Sequence, residues 1–206
     1  MRTRRQLLDA AASAFLEHGY EGASIGDITR RAGLTRGAVY FHFASKEELA
    51  QGVLDEAVTT EGVRPQVLKL QELVDTAMAL AHRLPREPVL AAALRLAVDN
   101  GVRRSVRTAW PEWIALLTEI LDDAKGRGET LPHVDPGGTA RLVMSSWTGA
   151  ALVLDGVPDG RDLEHHIGAL LDLLLPSIAV PAVLARLDTA AGRGARVVGA
   201  AAHDTA

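Results

Sequence analysis

Residues 24–48 read SIGDITRRAGLTRGAVYFHFASKEE, and this stretch decides the fold of the N-terminal part of the chain. Ser24 and Ser45 each lie three residues before an acidic residue, which is the spacing of a capped helix start. Gly33 is placed to end the first short helix, and Thr35 is placed to cap the second. Two short helices joined at a glycine turn are typical of a helix-turn-helix. The stretch therefore predicts this motif, followed by a third capped helix.

Helical patterns also account for the rest of the chain. Residues 3–18 form one amphipathic segment, with Gly19 as its stop. Beyond residue 61 the chain is rich in leucine and alanine, and proline and glycine breaks divide it into about five or six helices with no convincing strand. We therefore expect an all-α protein, with a three-helix head at residues 1–48 and a helical-bundle domain at residues 49–206.

Positive charge is concentrated at the N-terminus. The chain has 206 residues and a net charge of −4. Residues 1–46 carry seven Lys or Arg against four acidic residues, a net charge of +3, which leaves −7 for the remainder. A basic head on an acidic body indicates that only the head meets a polyanion.

The composition excludes several classes of protein. The chain has no cysteine, which excludes a disulfide scaffold, a zinc ribbon, an iron–sulfur cluster and a thiol nucleophile. Its uninterrupted apolar runs fall short of the roughly 18 residues that a membrane span needs. The N-terminal segment reads as an amphipathic helix rather than a signal peptide. We therefore expect a cytoplasmic protein with no membrane partner.

The second short helix carries side chains suited to nucleic acid. Its exposed positions are predicted to be Thr35, Arg36, Gly37, Tyr40 and His42. A helix N-terminus offers N–H groups to phosphate, an arginine binds guanine edges or phosphate, and a tyrosine binds phosphate or packs on sugar. A glycine inside a helix is unfavourable, so its missing side chain indicates close approach of another backbone. An ordinary capped surface helix remains the alternative on pattern alone.

The N-terminal sequence resembles the DNA-binding head of TetR-family transcriptional regulators. The resemblance covers residues 3–55 and includes GYEGASIGDI at residues 19–28 and AGLTRGAVYFHF at residues 32–43. It implies a homodimeric, all-α repressor whose C-terminal domain binds a small molecule and then releases double-stranded operator DNA. By the resemblance, the DNA-contact positions are Ser24, Thr35, Arg36, Gly37, Tyr40, His42 and Lys46, whereas Phe41 and Phe43 are expected to pack against the first and fourth helices.

Two further stretches resemble the γ-butyrolactone-receptor subgroup of actinomycete regulators. They are PVLAAALRLA at residues 88–97 and the Glu112-Trp113 pair, taken together with YFHFASKEELA at residues 40–50. In that subgroup a tryptophan at the place of Trp113 lines the hormone pocket. The residues argue in the same direction, since a large flat ring with an indole N–H is distinctive in a domain that lacks Phe and Tyr. Filling of core space by Trp113 is the competing interpretation.

The expected ligand is apolar and carries one or two oxygens, with lactone, butenolide or furan character. Trp147 and Thr148 are additional candidates, because the threonine hydroxyl is able to bond a lactone carbonyl, although helix packing is the alternative. Antibiotic or fatty-acyl effectors remain alternative ligand classes on the same fold. A helical small-molecule-binding or enzymatic domain without a DNA role is the second alternative.

No constellation in the sequence supports catalysis, a cofactor or a metal site. His165 and His166 are adjacent on a predicted helix and point about 100° apart, so only one of them joins a given face. The last two long helices, at residues 134–155 and 162–178, are expected to form the dimer interface. The tail at residues 192–206 is small and polar, and we expect it to fray.

Overall fold

The computed structural model of the chain describes residues 2–99, 101–156 and 162–204, and within these ranges the backbone forms helices and no β-strand. The helices are α1 (Arg2–Gly22), α2 (Ile25–Ala32), α3 (Arg36–His42), α4 (Lys46–Glu56), α5 (Lys69–Arg83), α6 (Pro88–Val98), α7 (Trp110–Gly126), α8 (Pro136–Asp155), α9 (Leu163–Ile178), α10 (Pro181–Leu184) and α11 (Arg193–Asp204). Among them, none has both the length and the apolar character that crossing a bilayer requires. The all-α prediction is confirmed.

The chain packs into two compact units. One contains Met1–Thr59 and Leu84–Pro111, and the other contains Thr60–Arg83 and Glu112–Ala206. This division differs from the boundary placed after residue 48 by motif, because α4 and α6 share the apolar core of the first unit. The helix-turn-helix is therefore part of a packed unit that includes many residues outside the motif.

In the first unit, α1 is the central helix and packs against α2, α4 and α6. Leu7, Leu8 and Phe15 lie on its buried side. Arg95 of α6 donates a hydrogen bond to the backbone oxygen of Leu16 at 3.2 Å, next to the C-terminal end of α1. The helix α6 thus contributes to the support of α1.

Two glycines end helices where the sequence predicts. Gly19 has a φ of 69° and interrupts α1, so the regular helix stops there as expected. Gly33 has a φ of 63° and closes α2 with its N–H on the carbonyl of Arg30. Both conformations lie in the left-handed region that residues with a Cβ rarely adopt.

In the second unit, α5 is the central helix and packs against α9 and α11, while α8 packs against α9. The expectation of a frayed tail is wrong, because α11 is a helix docked on α5. The N–H of Gly194 donates to Glu164 Oε1 at 2.7 Å, and a Cβ at this glycine would lie 2.2 Å from the carbonyl oxygen of Met78. The small size of this residue permits the close packing of α11 on α5.

Pro176 falls within the last long helix, which the sequence predicts to run to residue 178. It lies inside α9, which continues to Ile178. The proline falls in the last turn, where the loss of its N–H removes one hydrogen bond close to the end of the helix.

Candidate nucleic-acid interface and ligand site

Three short polar side chains set the starts of the helices in the motif. Ser24, Thr35 and Ser45 each accept a hydrogen bond from the backbone N–H three residues later, at 3.1 to 3.2 Å. The hydroxyl of Ser24 also donates to Asp27 Oδ2 at 2.6 Å. These are the N-caps that the sequence predicts, and they fix where α2, α3 and α4 begin.

One side of α3 is open to solvent. Thr35, Arg36 and Gly37 are exposed at its start, and the Tyr40 side chain is 53% exposed one turn later. Val39 on the opposite side is fully buried. Four of the predicted contact residues therefore share a solvent-facing surface, while the packing of α3 depends on its other side.

The start of α2 adds to this surface. A Cβ at Gly26 would lie 3.6 Å from the Ser24 hydroxyl and 3.8 Å from Arg36 Nη2, so both groups lie close to the first turn of α2. At Gly37 a Cβ would contact only the Thr35 hydroxyl, at 3.9 Å. Within the described residues, nothing forces glycine at position 37, and the space above it is open.

The two phenylalanines at the end of the motif behave differently. Phe43 is 4% exposed, and a Cβ at Gly52 would lie 2.8 Å from its ring and 3.0 Å from Leu8, so it packs between α1 and α4 as predicted. Phe41 was also expected to pack, and this expectation is wrong, because its side chain is 83% exposed. Its ring meets that of the partly exposed His42 edge to face, with centroids 5.1 Å apart. Phe41 therefore joins the exposed surface.

Lys46 occupies a different position from the other predicted contacts. Its Nζ donates to the backbone oxygens of Tyr20, Ala23 and Glu21, at 2.9, 3.2 and 3.4 Å. The ammonium also lies 4.4 Å from the centroid of the Tyr20 ring. The lysine thus binds the turn between α1 and α2 and does not project freely into solvent.

The candidate ligand residues lie on two helices of the second unit. Trp113 of α7 and Trp147 of α8 are each 5% exposed. The indole N–H of Trp147 donates to the backbone oxygen of Ala77 at 3.1 Å, so its one donor is already bonded. The hydroxyl oxygen of Thr148 is buried and has no hydrogen-bond partner among the described residues. Of these three side chains, Thr148 carries the polar group with an unmet hydrogen-bonding requirement.

Comparison with known proteins places the chain among regulators. A family model of bacterial regulatory proteins, the tetR family, matches residues 7–53. The A-factor receptor protein of Streptomyces griseus is 38% identical over 187 residues, which cover 91% of this chain and 67% of that protein. Full-length native TylP, a TetR regulator from Streptomyces fradiae, has a TM-score of 0.89 at 37% identity, with 97% of both chains covered.

A γ-butyrolactone receptor described as an ArpA-like protein is also similar. Its crystal structure has a TM-score of 0.70 at 28% identity, covering 98% of this chain and 96% of that one. These relatives are regulators and receptors, not enzymes. The similarity extends through both compact units, well beyond the helix-turn-helix.

Proposed function

Because the chain belongs to the tetR family of bacterial regulatory proteins, we propose that its ligand-responsive repression uses α2 and α3 to hold an operator and α7 and α8 to sense a small molecule. The observation that carries the proposal is the exposed surface of α3 in the head, where Tyr40 and Phe41 project into solvent. In the other unit, Thr148 of α8 holds a buried hydroxyl without a hydrogen-bond partner among the described residues.

For the operator, the exposed surface of α3 supplies chemistry suited to a major groove. Thr35 and Arg36 lie at a helix start that offers N–H groups to phosphate, and Tyr40 projects from the same side. The open space at Gly37 allows a DNA backbone to approach α3 closely. Ser24 and His42 lie at the edges of this surface, where phosphate contacts position the motif.

A titration of labelled DNA from upstream of the protein's own gene tests these contacts. We expect operator affinity to fall steeply with salt, as phosphate neutralisation requires. Arg36→Ala and Tyr40→Ala are expected to weaken binding while helical content by circular dichroism stays at the wild-type value. Binding that is unchanged in both variants would exclude this surface, and salt-independent binding would favour a helical domain without a DNA role.

The dimer interface is proposed on α8 and α9. Leu142, Leu152 and Val153 of α8 and Leu173 of α9 are exposed large apolar side chains, at 39 to 82%. Apolar surface of this kind on paired helices is suited to a four-helix contact across a two-fold axis. A dimer would place two recognition helices in major grooves about 34–36 Å apart, or at a multiple, on a pseudo-palindromic operator.

Sedimentation analysis tests this interface. The double variant Leu142→Glu with Leu173→Glu places charges on both helices, and we expect it to sediment as a monomer because buried unpaired carboxylates are strongly unfavourable. Val67→Glu is the matched control, since Val67 is 81% exposed and lies outside both helices. A double variant that remains dimeric would place the interface elsewhere.

The ligand is proposed to be a small apolar molecule with lactone, butenolide or furan character. Trp113 is expected to provide a flat apolar wall and Thr148 the hydrogen bond to a ligand oxygen. Trp147 is expected to contribute its ring face only, because its N–H is bonded within the protein. Support for the ligand class comes from the A-factor receptor and the γ-butyrolactone receptor among the relatives.

A panel of γ-butyrolactones, butenolides and furans added to the protein–DNA complex tests the ligand class. We expect one lactone-like class to release the DNA. Tight DNA binding that no member of the panel releases would contradict the proposed class and favour an antibiotic or fatty-acyl effector on the same fold.

Thr148→Val separates a ligand contact from a packing residue. Removing a buried hydroxyl without a partner is expected to leave the melting temperature unchanged or higher, while the concentration of lactone needed for release rises about tenfold, the scale of one hydrogen bond. Thr118→Val is the control, because that hydroxyl donates to Ile114 O of its own helix at 2.7 Å. Equal release by wild type and Thr148→Val would remove Thr148 from the site.

The proposal includes no catalytic role, in keeping with relatives that are regulators rather than enzymes. It also includes a cytoplasmic location, where the operator DNA of a bacterial regulator is found. We propose a functional division into a DNA-binding part at residues 1–48 and a ligand-binding and dimerisation part at residues 49–206, a boundary that differs from that of the packed units, since the first unit also includes residues 49–59 and 84–111.

A further inference from the structure

Lys46 begins α4 at a position that is unfavourable for a cation. The N-terminal end of a helix carries partial positive charge, so a lysine at its first residue is disfavoured unless another group compensates it. The ammonium has three N–H donors, and in this structure three backbone oxygens accept from it. The compensating groups therefore come from the protein itself.

The accepting oxygens lie where a helix end leaves carbonyl groups without helical partners. They belong to Tyr20, Glu21 and Ala23, at the C-terminal end of α1 and immediately before the Ser24 cap of α2. A cation is favourable at this end of a helix dipole. From the start of α4, the lysine thus donates hydrogen bonds to the free carbonyl groups at the end of α1.

An aromatic ring completes the binding site for the ammonium. The Tyr20 ring, 6% exposed, lies 4.4 Å from Lys46 Nζ and packs 5.7 Å from the ring of Phe15 in the core of the head. A ring face at this distance attracts a cation. Burial, with the neighbouring Glu47 carboxylate, raises the pKa of the Tyr20 phenol to about 12, so the ring stays neutral at any physiological pH.

We infer that Lys46 is a positioning residue that ties the two ends of the helix-turn-helix together, and not a phosphate contact. Its bonds span 23 to 26 residues of sequence, from the turn before α2 to the start of α4, and enclose α2 and α3 between them. The bonds therefore hold the Ser24 end of α2 in register with α3. This inference deepens the proposed DNA-binding role and rests on it for the DNA readouts.

The effect of Lys46→Met is measured first in the free protein. We expect amide hydrogen exchange at residues 19–27 to become about tenfold faster, because charge-assisted hydrogen bonds that hold the turn are lost. A phosphate contact would leave exchange in the free protein unchanged. Since this measurement needs no DNA, it tests the positioning role of Lys46 even if the proposed operator surface were wrong.

The second readout is DNA binding by the same variant. We expect operator affinity to fall about tenfold and the ratio of operator to unrelated-duplex affinity to fall with it, because misplaced helices lose base contacts. The slope of log affinity against log salt should stay at the wild-type value. Arg36→Met is the matched control, for which the slope should fall by about one and free-protein exchange should stay unchanged.

Lys46→Gln guards against a variant that fails to fold. Its amide N–H groups are able to bond one or two of the same carbonyls without a charge, so we expect an operator-to-unrelated ratio between those of Lys46→Met and wild type. A salt slope reduced by about one in Lys46→Met, with unchanged exchange at residues 19–27, would overturn the inference and assign the lysine to phosphate. A wild-type affinity ratio in both variants would overturn it as well.

Discussion

The helix-turn-helix and the C-terminal helix α11 are held in place by different means. In the motif, each cap bonds a backbone group three residues away, as at Ser24 and Thr35. In α11, Arg193 forms two hydrogen bonds of 2.8 Å with Asp75, 118 residues earlier. Local bonds can be inferred from a short stretch of sequence, whereas distant ones cannot.

The site around Asp75 shows how the distant contacts support α11. This carboxylate is fully buried and also accepts from Gln66 at 2.9 Å and from Gln71 at 2.7 Å. A buried carboxylate is tolerated when all of its oxygens are bonded in this way. The hydrogen bonds with Asp75 raise the pKa of Arg193, which keeps the guanidinium charged. The C-terminal helix is thereby a structural part of its unit.

The largest expected effect in this comparison belongs to the Asp75 pair. Arg193→Met leaves a buried carboxylate without its cation, and we expect the free energy of unfolding to fall by about 3–5 kcal/mol. The double variant Asp75→Leu with Arg193→Met removes both charges and is expected to recover much of that loss. Urea denaturation measures both. A single variant as stable as wild type would show that α11 contributes little.

Gly194→Ala is expected to have the next largest effect. The added Cβ would lie 2.2 Å from the backbone oxygen of Met78. Because this oxygen belongs to the backbone and not to a flexible side chain, α11 must shift, at a cost of about 1–3 kcal/mol. Gly199→Ala lies in the same helix with nothing within 4 Å of the added Cβ, and is expected to be neutral or slightly stabilising. Thermal denaturation compares the pair, and equal melting temperatures would contradict the close packing of α11.

A smaller effect is expected from a single cap in the motif. Ser24→Ala removes the acceptor for the Asp27 N–H and is expected to lower the free energy of unfolding by about 1 kcal/mol. Ser24→Asp is the control, because aspartate also caps helix starts. If Ser24→Ala destabilised the protein as much as Arg193→Met, the distinction between local and distant support would fail.

Residues within one or two turns of each other were enough to predict most of the motif. The caps at Ser24 and Thr35 and the end of α2 at Gly33 depend on near neighbours and were placed correctly. The same short-range pattern also indicates an exposed position for Phe41. Val39 and Phe43 lie four residues apart on the buried side of α3, so position 41 points away from it.

Contacts between distant residues account for what could not be predicted. The type of Lys46 indicates a cation but not that its partners are carbonyls 23 to 26 residues earlier. Composition at residues 192–206 predicts a frayed tail, because neither the partner of Arg193 nor the close approach at Gly194 can be inferred from neighbouring residues. The proposed ligand site is the extreme case, since its candidate residues lie on α7 and α8, in separate parts of the chain.

The head is proposed to bind DNA and the other unit to sense the ligand, and one experiment with two variants tests this separation most directly. Fluorescence anisotropy on operator DNA is measured for wild type, Arg36→Ala and Trp113→Ala, before and after addition of the lactone class that releases the wild type. We predict that Arg36→Ala loses DNA affinity, whereas Trp113→Ala binds DNA like the wild type and is not released. Full release of Trp113→Ala, or loss of DNA affinity in that variant alone, would contradict the account.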